Sequence, residues 1–483
     1  MIRKWLSVGF ILLFVGIAVA PAVAQNTQKS QSTSRGTWLY VGGGGPGNYT
    51  RIQDAINDTQ EGDTVYVFDE SSPYTESLRI NKSIQLIGEN TTTTILNATS
   101  QKNIRVLAPK VFIGGFTLLN YYENYDSYGV DAFDSEYLTF KNNIVIGCDY
   151  GLQLSYFSNC TIENNEIRDG TVGIDVYKIF TSTFANNSFI DNKCGIELNC
   201  AQNNILSNNT FMNNGVSLVD SSYPNTFIEN TVNGKALLYF ENESDMVIDN
   251  ESIGQLFLIG CKNITIQNIE VTNATLGIEI IHSDNCLVTN TKLYSNYDAG
   301  IALLEQCQNN TISFNDISYN HYGILCESYY FPFKYNTISG NTIRFNKNGI
   351  SLDGSKNTIR DNIIKNNNEG IEVWPGFRNR ITNNIIANSM TLGLYLYDNS
   401  WCLIKSNNFI NNQKHTDFEK FSILRNLFQN NYWSDSTGFG PKLIWGLQNI
   451  KIGYNSRLGI PIYLTIPWVQ FDWFPAKEPY DIP

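Results

Sequence analysis

The feature that most limits how this chain can fold is a repeat of about 22 residues. A glycine followed by an aliphatic residue recurs every 22 residues in one stretch and every 21 to 26 residues in a later one. These landmark glycines are Gly129, Gly151, Gly173 and Gly195, then Gly277, Gly300, Gly323, Gly349, Gly370 and Gly393. A sustained internal period of this length is typical of a solenoid, in which each repeat forms one coil stacked on the next.

Each unit also contains an asparagine with an apolar residue three positions before it and another two positions after it. The pairs formed by the preceding apolar residue and its asparagine are Ile162/Asn165, Phe184/Asn187, Leu206/Asn209, Ile312/Asn315, Ile338/Asn341, Ile359/Asn362, Ile381/Asn384 and Ile404/Asn407. The three apolar segments of a unit are too short for helices but fit strands of three to five residues. The sequence therefore predicts an all-β fold, a right-handed parallel β-helix with three-strand coils of about 22 residues.

Asparagine makes up 62 of the 483 residues, and it is disfavoured inside helices and ordinary strands. Asparagine and glycine both tolerate the left-handed backbone conformation, so we expect them at the turns between strands. Stacked asparagine side chains can also hydrogen-bond to their equivalents in neighbouring coils. A leucine-rich repeat shares the period and an asparagine, but it needs a helical segment, and no segment within a repeat unit has helical periodicity.

The sequence predicts a long β-helix with a cap at each end, preceded by two N-terminal segments. The segments are 1–24, a signal peptide; 25–35, a flexible segment; 36–62, an N-terminal cap; 63–430, the β-helix, with atypical coils in 231–260; and 431–483, a C-terminal cap. Thr50 and Gln53 match a capping box at the start of a short amphipathic helix, which would cover the open end of the solenoid. We expect the solenoid to be continuous, with a protruding hairpin or loop in 231–260, and the aromatic C-terminal cap to be irregular.

The N-terminus and the charge bear on location and partners. Arg3 and Lys4 precede an apolar stretch and a small-residue cleavage site at 22–24, a pattern typical of a secretory signal. An uncleaved membrane anchor is the alternative. We therefore predict a secreted, periplasmic or cell-surface monomer with no membrane span after cleavage.

About a dozen Asn-x-Ser/Thr sequences would accept glycans in a cell that has the machinery for N-glycosylation. The formal charge of −12 excludes nucleic acid as a partner held by a basic surface.

Nine cysteines are present, with no C-x-x-C pair and no metal-finger spacing. They are Cys148, Cys160, Cys194, Cys200, Cys261, Cys286, Cys307, Cys326 and Cys402. Several recur at matching places in the repeat, so we predict small buried side chains stacked in the interior. Disulfides between neighbouring coils remain open as the alternative, because stacked Cα atoms come close enough.

Beyond the repeat, short sequences indicate a family. The entry Trp-Leu-Tyr-Val at 38–41, the Val-Asn-Gly-Lys insert at 232–235 and the Asn-Tyr-Trp-Ser tail at 431–434 resemble NosD-type right-handed β-helix proteins. More distantly, the chain is similar to the carbohydrate-binding and sugar-hydrolysing β-helices of the pectate-lyase superfamily. The resemblance implies an exported β-helix and, for the NosD type, association with copper.

A face of the predicted solenoid carries the candidate site. In each Gly-Ile-x-Leu strand the residues flanking x point inward, so x points outward. Reading x along the chain gives Asp131, Gln153, Asp175, Glu197, Glu279, Ala302, Leu325, Ser351, Glu372 and Tyr395. Consecutive coils would place Asp175 and Glu197 about 5 Å apart at the backbone. Such spacing suits paired glycosidase carboxylates or Ca²⁺ ligands, and also a merely solvated face.

Aromatic residues follow these strands and could present flat rings to sugars. The predicted ligand-binding residues are Tyr156, Tyr177, Glu279, Glu372, Trp374 and Tyr397. The predicted catalytic residues are Asp175 and Glu197, as acid, base or Ca²⁺ ligands, and Lys178, as a proton abstractor. For copper, the histidines and methionines are dispersed, and His282 with Cys286 is the nearest approach to a local site.

Together these features predict an exported surface protein that presents a long face to a glycan or polysaccharide. One alternative is an active polysaccharide lyase, hydrolase or epimerase. Another is a copper or maturation accessory of the NosD kind, which rests on the resemblance.

Overall fold

The computed structural model describes residues 36–121, 126–134, 136–328, 333–421, 424–455 and 460–482. These residues form a right-handed parallel β-helix of about 18 turns, as the repeat predicts. Its helical segments among the described residues are one α-helix, Ile52–Asp58, and one 3₁₀ turn, Asp69–Ser71. No helix in this part of the chain has the length and apolar character needed to cross a membrane. The predicted signal peptide and flexible segment, 1–24 and 25–35, lie outside the described residues.

The first half of the solenoid, which we call the N-terminal arm, has three parallel sheets. The sheet that carries the landmark glycines, here the N-terminal glycine sheet, contains Leu78–Ile80, Lys102–Val106, Tyr128–Phe133, Tyr150–Ser158, Val172–Phe180, Cys194–Asn199 and Val216–Val219. The second sheet contains Trp38–Val41, Thr64–Val67, Gln85–Gly88, Phe112–Gly114, Thr139–Lys141, Thr161–Glu163, Thr183–Ala185, Ile205–Ser207 and Thr226–Ile228. The third contains Tyr74–Thr75, Ile95–Asn97, Thr117–Leu119, Ile144–Ile146, Glu166–Arg168, Ser188–Ile190, Thr210–Met212 and Thr231–Val232.

The C-terminal arm repeats this plan. Its glycine sheet contains Lys235–Glu241, Ile253–Ile259, Leu276–Ile281, Ala299–Leu304, Tyr322–Glu327, Asn348–Leu352, Glu369–Val373, Leu392–Tyr397 and Lys414–Lys420, and ends at Lys442–Asn455. The second sheet contains Val247–Asp249, Thr265–Gln267, Leu287–Thr289, Thr311–Ser313, Thr337–Ser339, Thr358–Arg360, Arg380–Thr382, Leu403–Lys405 and Leu427–Gln429, and ends at Ile460–Asp472. The third contains Glu270–Thr272, Lys292–Tyr294, Asp316–Ser318, Thr342–Arg344, Ile363–Lys365, Ile385–Ala387, Asn408–Ile410 and Tyr432–Trp433, and a small outer pair joins Gly376–Phe377 to Asn399–Ser400.

The two arms are separated by a reversal of the chain, so the expectation of a continuous solenoid is wrong. Thr231–Val232 pairs antiparallel with Lys235–Glu241, through a turn in which Asn233 and Gly234 both have positive φ. Such Asn-Gly turns join antiparallel strands and not stacked coils. The expected hairpin therefore exists, but it does not protrude, because each of its strands is the end strand of one arm.

The predicted asparagine stack is confirmed. The side-chain amide of Asn165 donates to Oδ1 of Asn187 at 2.9 Å, and that of Asn187 donates to Oδ1 of Asn209 at 3.0 Å. Each ladder asparagine is buried. The left-handed residue at this turn is the preceding asparagine, as at Asn164 and Asn186. Of two adjacent asparagines, the first therefore adopts the left-handed backbone conformation of the turn, and the second forms hydrogen bonds between neighbouring coils.

The landmark glycines were expected to supply a left-handed backbone conformation, but none of them adopts positive φ. They are therefore required for another reason. At Gly173 a Cβ atom would lie 2.5 Å from the carbonyl oxygen of Gly195 and 2.7 Å from the ring of Phe189. Glycine is therefore required by the close approach of the next coil and of the interior side chains.

The N-terminal helix covers the first coil as predicted, but its cap is not Thr50 with Gln53. Arg51 occupies the N-cap position and makes no side-chain cap hydrogen bond. The buried carboxylate of Glu76 instead accepts from the amides of Ile52 (2.8 Å) and Gln53 (3.2 Å). The first-turn donors are thus satisfied by a residue from the coil beneath, which fixes the helix to the solenoid.

The C-terminal end is closed by a long antiparallel hairpin, Lys442–Asn455 with Ile460–Asp472, so the expectation of an irregular cap is wrong. Its first strand begins with the successive apolar residues Leu443 and Ile444, which favour a strand, and Ile444 is buried while Leu443 is exposed. At the base of the hairpin, the buried carboxylate of Asp472 ends the asparagine ladder. It accepts from the amides of Asn430 and Asn431, from the side chain of Asn431 and from the indole of Trp433.

We expect Asp472→Asn to lower the free energy of unfolding by about 1.5 kcal/mol, since the new amide group would face donors instead of accepting from them. Thermal unfolding checks this. The matched control is Asp481→Asn, near the C-terminus, for which we expect no change. An unchanged melting temperature for Asp472→Asn would mean that the carboxylate does not close the ladder.

The cysteines confirm the predicted burial. All nine are free thiols, and eight of them are buried, while Cys200 is half-buried. Burial raises the pKa of Cys286 to about 11 and that of Cys307 to about 12. The thiol of Cys307 lies 3.4 Å from the carbonyl oxygen of Ile280. These cysteines therefore act as small interior side chains.

Candidate functional site

The predicted column of outward residues exists on the N-terminal glycine sheet. Gln153 pairs with Asp175, and Asp175 pairs with Glu197, in three consecutive parallel strands. The side chain of Gln153 donates to Oδ2 of Asp175 at 3.1 Å. The structure thus brings together two of the three predicted catalytic residues on one outer surface.

The two carboxyl groups are half-buried, and this changes their acidity. Burial raises the pKa of Asp175, and the hydrogen bond from Gln153 opposes that effect. Burial also raises the pKa of Glu197, with further contributions from Asp175 and from Asp298 of the C-terminal arm. Residues of the two arms therefore share one electrostatic environment.

Lys178 lies beside this column, between two aromatic rings. Its ammonium nitrogen is 5.2 Å from the ring centre of Tyr156 and 5.0 Å from that of Tyr177. The two rings meet edge to face, with centres 5.4 Å apart. A hydrogen bond with Tyr177 raises the pKa of Lys178, so the amine stays protonated. This geometry favours a cation held by aromatic rings over a proton abstractor.

The last coil of the N-terminal arm packs on the outer face of the C-terminal glycine sheet. Gln255 accepts from the amide of Val216 (2.9 Å) and donates to its carbonyl (2.5 Å), which satisfies the backbone of Val216 at the free edge of Val216–Val219. Thr275 accepts from the amide of Gly215 at 2.8 Å and donates to the carbonyl of Lys193 at 3.2 Å. Side chains of one arm thus replace the strand that would have continued the other.

This contact covers Glu279, which the sequence places on an exposed face. Glu279 points outward and pairs in register with Ala302, but its side chain is 0% exposed. Neither carboxyl oxygen has a hydrogen bond of normal geometry, although the amide of Leu218 faces it. Burial raises its pKa well above the usual range, which favours the protonated form of the group. The expectation that Glu279 is exposed is therefore wrong, and it is enclosed where the arms meet.

Two adjacent cavities, which we call the groove, run along the outer face of the C-terminal glycine sheet. The first, of about 220 Å³, lies between segment 217–223 and that sheet, and the second, of about 310 Å³, continues toward Trp374. Leu325 and Glu327 line both. The floor of the first cavity is apolar, and its acidic lining residues are Asp220, Asp298, Glu305 and Glu327.

Sequence reasoning missed these carboxylates of the groove. Burial and the neighbouring Glu327 raise the pKa of Asp298 to about 6. Asp298 precedes its landmark glycine by two positions, whereas the sequence search followed only the residue after Gly-Ile. The available signal was the pair of apolar x residues, Ala302 and Leu325, because outward apolar residues mark a covered or binding surface.

Glu372 lies near the far end of the groove and is paired with a second carboxyl group. The side chain of Asn348 donates to Oε2 of Glu372 at 2.6 Å and to Oε2 of Glu369 at 3.4 Å. Burial, followed by the hydrogen bond and charge of Glu369, raises the pKa of Glu372 to about 8. The pair therefore holds a proton at neutral pH.

Trp374 lines the far end of the groove, and Tyr397 lies beside it. The indole nitrogen of Trp374 donates to Oγ of Ser351 at 3.2 Å, which orients the ring, and the side chain stays 39% exposed. Its ring centre is 5.5 Å from that of Tyr397 in the next coil. The structure thus brings Glu372, Trp374 and Tyr397 together, away from Tyr156 and Tyr177 on the other arm.

The described residues contain no group of three or more His, Cys, Asp or Glu side chains arranged to hold a metal ion. His282 meets the ring of Tyr223 edge to face, while the thiol of Cys286 is buried against the carbonyl of Asp284. His415 is buried and contacts Asn412 and Ser434. Among the residues that the structure describes, the donors that copper prefers are therefore not brought together, and these residues do not fit the copper site that the resemblance implies.

Two family models match parts of the chain. The model described as "Periplasmic copper-binding protein (NosD)" matches residues 228–446. The model described as "Right handed beta helix region" matches residues 62–211 and 119–254. No curated protein matches the chain.

The solved structures that this chain resembles are distant in sequence. The A-module of a mannuronan C-5 epimerase from Azotobacter vinelandii is 14% identical, with 78% of this chain and 93% of that chain covered and a TM-score of 0.31. A mutant tailspike protein of E. coli bacteriophage HK620, in complex with a pentasaccharide, is 12% identical, with coverages of 70% and 74% and a TM-score of 0.35. A periplasmic alginate epimerase is 12% identical, with coverages of 79% and 82% and a TM-score of 0.30.

The resemblance seen in the sequence is confirmed over defined segments: residues 228–446 match the NosD model, and residues 62–254 match the right-handed β-helix model.

Proposed function

We propose that this protein binds a glycan in the groove of the C-terminal arm. The observation that carries the proposal is the combination of an apolar floor, a line of carboxylates and the exposed, oriented indole of Trp374. A sugar ring has apolar faces and a polar rim, so it fits a site with aromatic and apolar surfaces flanked by hydrogen-bonding groups. The proposal includes export of the protein, which residues 1–24 predict, and a monomeric state.

Binding of soluble oligosaccharides to the Trp374→Ala variant tests this function. We expect affinity to fall at least tenfold, because a buried stacking contact of this size is a typical hot spot. Trp401→Ala is the matched control, since Trp401 is also exposed (52%) and lines neither cavity, and we expect its affinity to change less than twofold. Equal affinities for both variants, or no binding of any glycan by the parent protein, would contradict the proposal.

A glycoside hydrolase is the second candidate function. It is favoured by the pair of Glu369 and Glu372, which holds a proton at neutral pH, as a general acid must. Glu372 also lies only two residues before Trp374. A lyase or epimerase is less well supported, because such chemistry on an acidic sugar calls for cations, and the described lining of the groove contains no lysine or arginine. Asp175, Glu197 and Lys178 on the N-terminal arm stay a predicted catalytic group.

A further inference from the structure

The charge of the groove narrows the class of glycan. Five carboxylates line its two cavities: Asp220, Asp298, Glu305, Glu327 and Asp353. Within the described part of the chain, none of them forms an ion pair with lysine or arginine. Some carboxylates elsewhere in the solenoid are paired with a cation on the neighbouring coil, as in Lys141 with Glu163 at 2.8 Å. The groove is therefore a strip of uncompensated negative charge.

These carboxylates also disfavour one another's ionisation. After burial, Asp220 and Glu327 are the groups that raise the pKa of Glu305. Glu327 likewise contributes to the raised pKa of Asp298 and of Asp353. Glu327 is thus the common neighbour of the set, and a cation placed beside it would relieve several repulsions at once.

The floor indicates what kind of cation fits. Leu276, Ala302, Leu304 and Leu325 form an apolar surface beneath the carboxylates, and Leu276 and Ala302 belong to one packed cluster. A small hydrated ion gains nothing from such a floor. A molecule with an apolar face and charged amino groups at its rim would use both the floor and the carboxylates.

We infer that the groove selects a glycan that carries free amino groups, such as an oligomer of glucosamine. This inference rests on the proposed function and adds the charge of the ligand. An uncharged glycan would keep the stacking contact but leave the carboxylates unpaired. A uronic-acid polymer would add negative charge to an uncompensated acidic strip, and the like charges would repel.

Calorimetric titration with three probes tests the inference: a glucosamine hexamer, the N-acetylglucosamine hexamer and a galacturonate hexamer with and without Ca²⁺. At pH 6.5 we expect the glucosamine hexamer to bind at least tenfold more tightly than its acetylated form, with affinity falling as salt is raised. Glu327→Gln and, separately, Glu305→Gln should each reduce that preference at least threefold. Glu163→Gln, on another sheet, is the control and should leave the preference unchanged, and circular dichroism verifies the fold of each variant.

The outcomes separate the two proposals. Equal binding of the amino and acetylated hexamers would overturn the amino-glycan inference and leave glycan binding standing. Preferred binding of galacturonate, with Ca²⁺ or without it, would overturn the inference in the same way. No binding of any probe would overturn both. Preference for glucosamine that survives Glu327→Gln and Glu305→Gln would place the selectivity outside the groove and contradict the inference.

Discussion

Replacing Asn187 by alanine is expected to lower the free energy of unfolding by about 4 kcal/mol. The side chain of Asn187 makes four buried hydrogen bonds. It donates to the carbonyl of Ile162 (2.9 Å) and to Oδ1 of Asn209 (3.0 Å), and it accepts from the amide (3.0 Å) and the side chain (2.9 Å) of Asn165. Alanine would remove all four and leave partners on two other coils unsatisfied in the interior.

The neighbouring residue supplies the control. Asn186 has φ of 54°, and Asn186→Gly keeps that conformation, so its effect should stay below about 1 kcal/mol. Urea unfolding followed by circular dichroism measures both variants. Equal losses for the two would show that the turn, and not the ladder, stabilises the stack.

Replacing Glu279 by methionine is expected to raise the free energy of unfolding, the opposite of the effect expected at Asn187. The carboxyl group is fully buried where the arms meet and lacks a normal hydrogen bond, whereas methionine has a similar size and no polar group. We expect the free energy of unfolding at pH 8 to rise by about 3 kcal/mol. Glu251→Met, at an exposed position, is the control and should change it little.

The pH dependence provides a second readout. The pKa of Glu279 is higher in the folded protein than in the unfolded chain, so the folded state binds more protons above the ordinary pKa. Stability contributed by this group is full below about pH 4.5 and is lost as pH rises through the folded pKa. Thermal unfolding between pH 5 and pH 9 should therefore show a smaller decline for Glu279→Met than for the parent protein. A decline of the same size in both proteins would mean that the pKa of Glu279 is not raised in the native state.

The fold could be predicted because the repeat determines which residues stack. Once residues 22 apart occupy equivalent positions, the pairing of Asp175 with Glu197 follows, as does the ladder through Asn165 and Asn187. The role of the landmark glycines was missed, because contact with the next coil and with an interior ring depends on side-chain volume and not on period.

The division into two arms was not predicted, although the signals were present. Asn233-Gly234 is a strong hairpin signal, and the run Leu256–Ile259 is apolar at every position, which is typical of a strand buried on both faces. The burial of Glu279 and the proximity of Glu197 to Asp298 both depend on how one arm packs on the other. A period describes neighbouring coils, so it contains no information about contacts between distant ones.

The buried thiols can be used to measure local unfolding of individual coils in the native protein. Eight cysteines are enclosed at different heights, three of them in the N-terminal arm and five in the C-terminal arm, and only Cys200 is partly open to solvent among the nine. An alkylating reagent should therefore modify Cys200 first and reach each of the others only when its own coil opens. Mass spectrometry of the modified peptides over time would then rank the coils by local unfolding rate, without any engineered label.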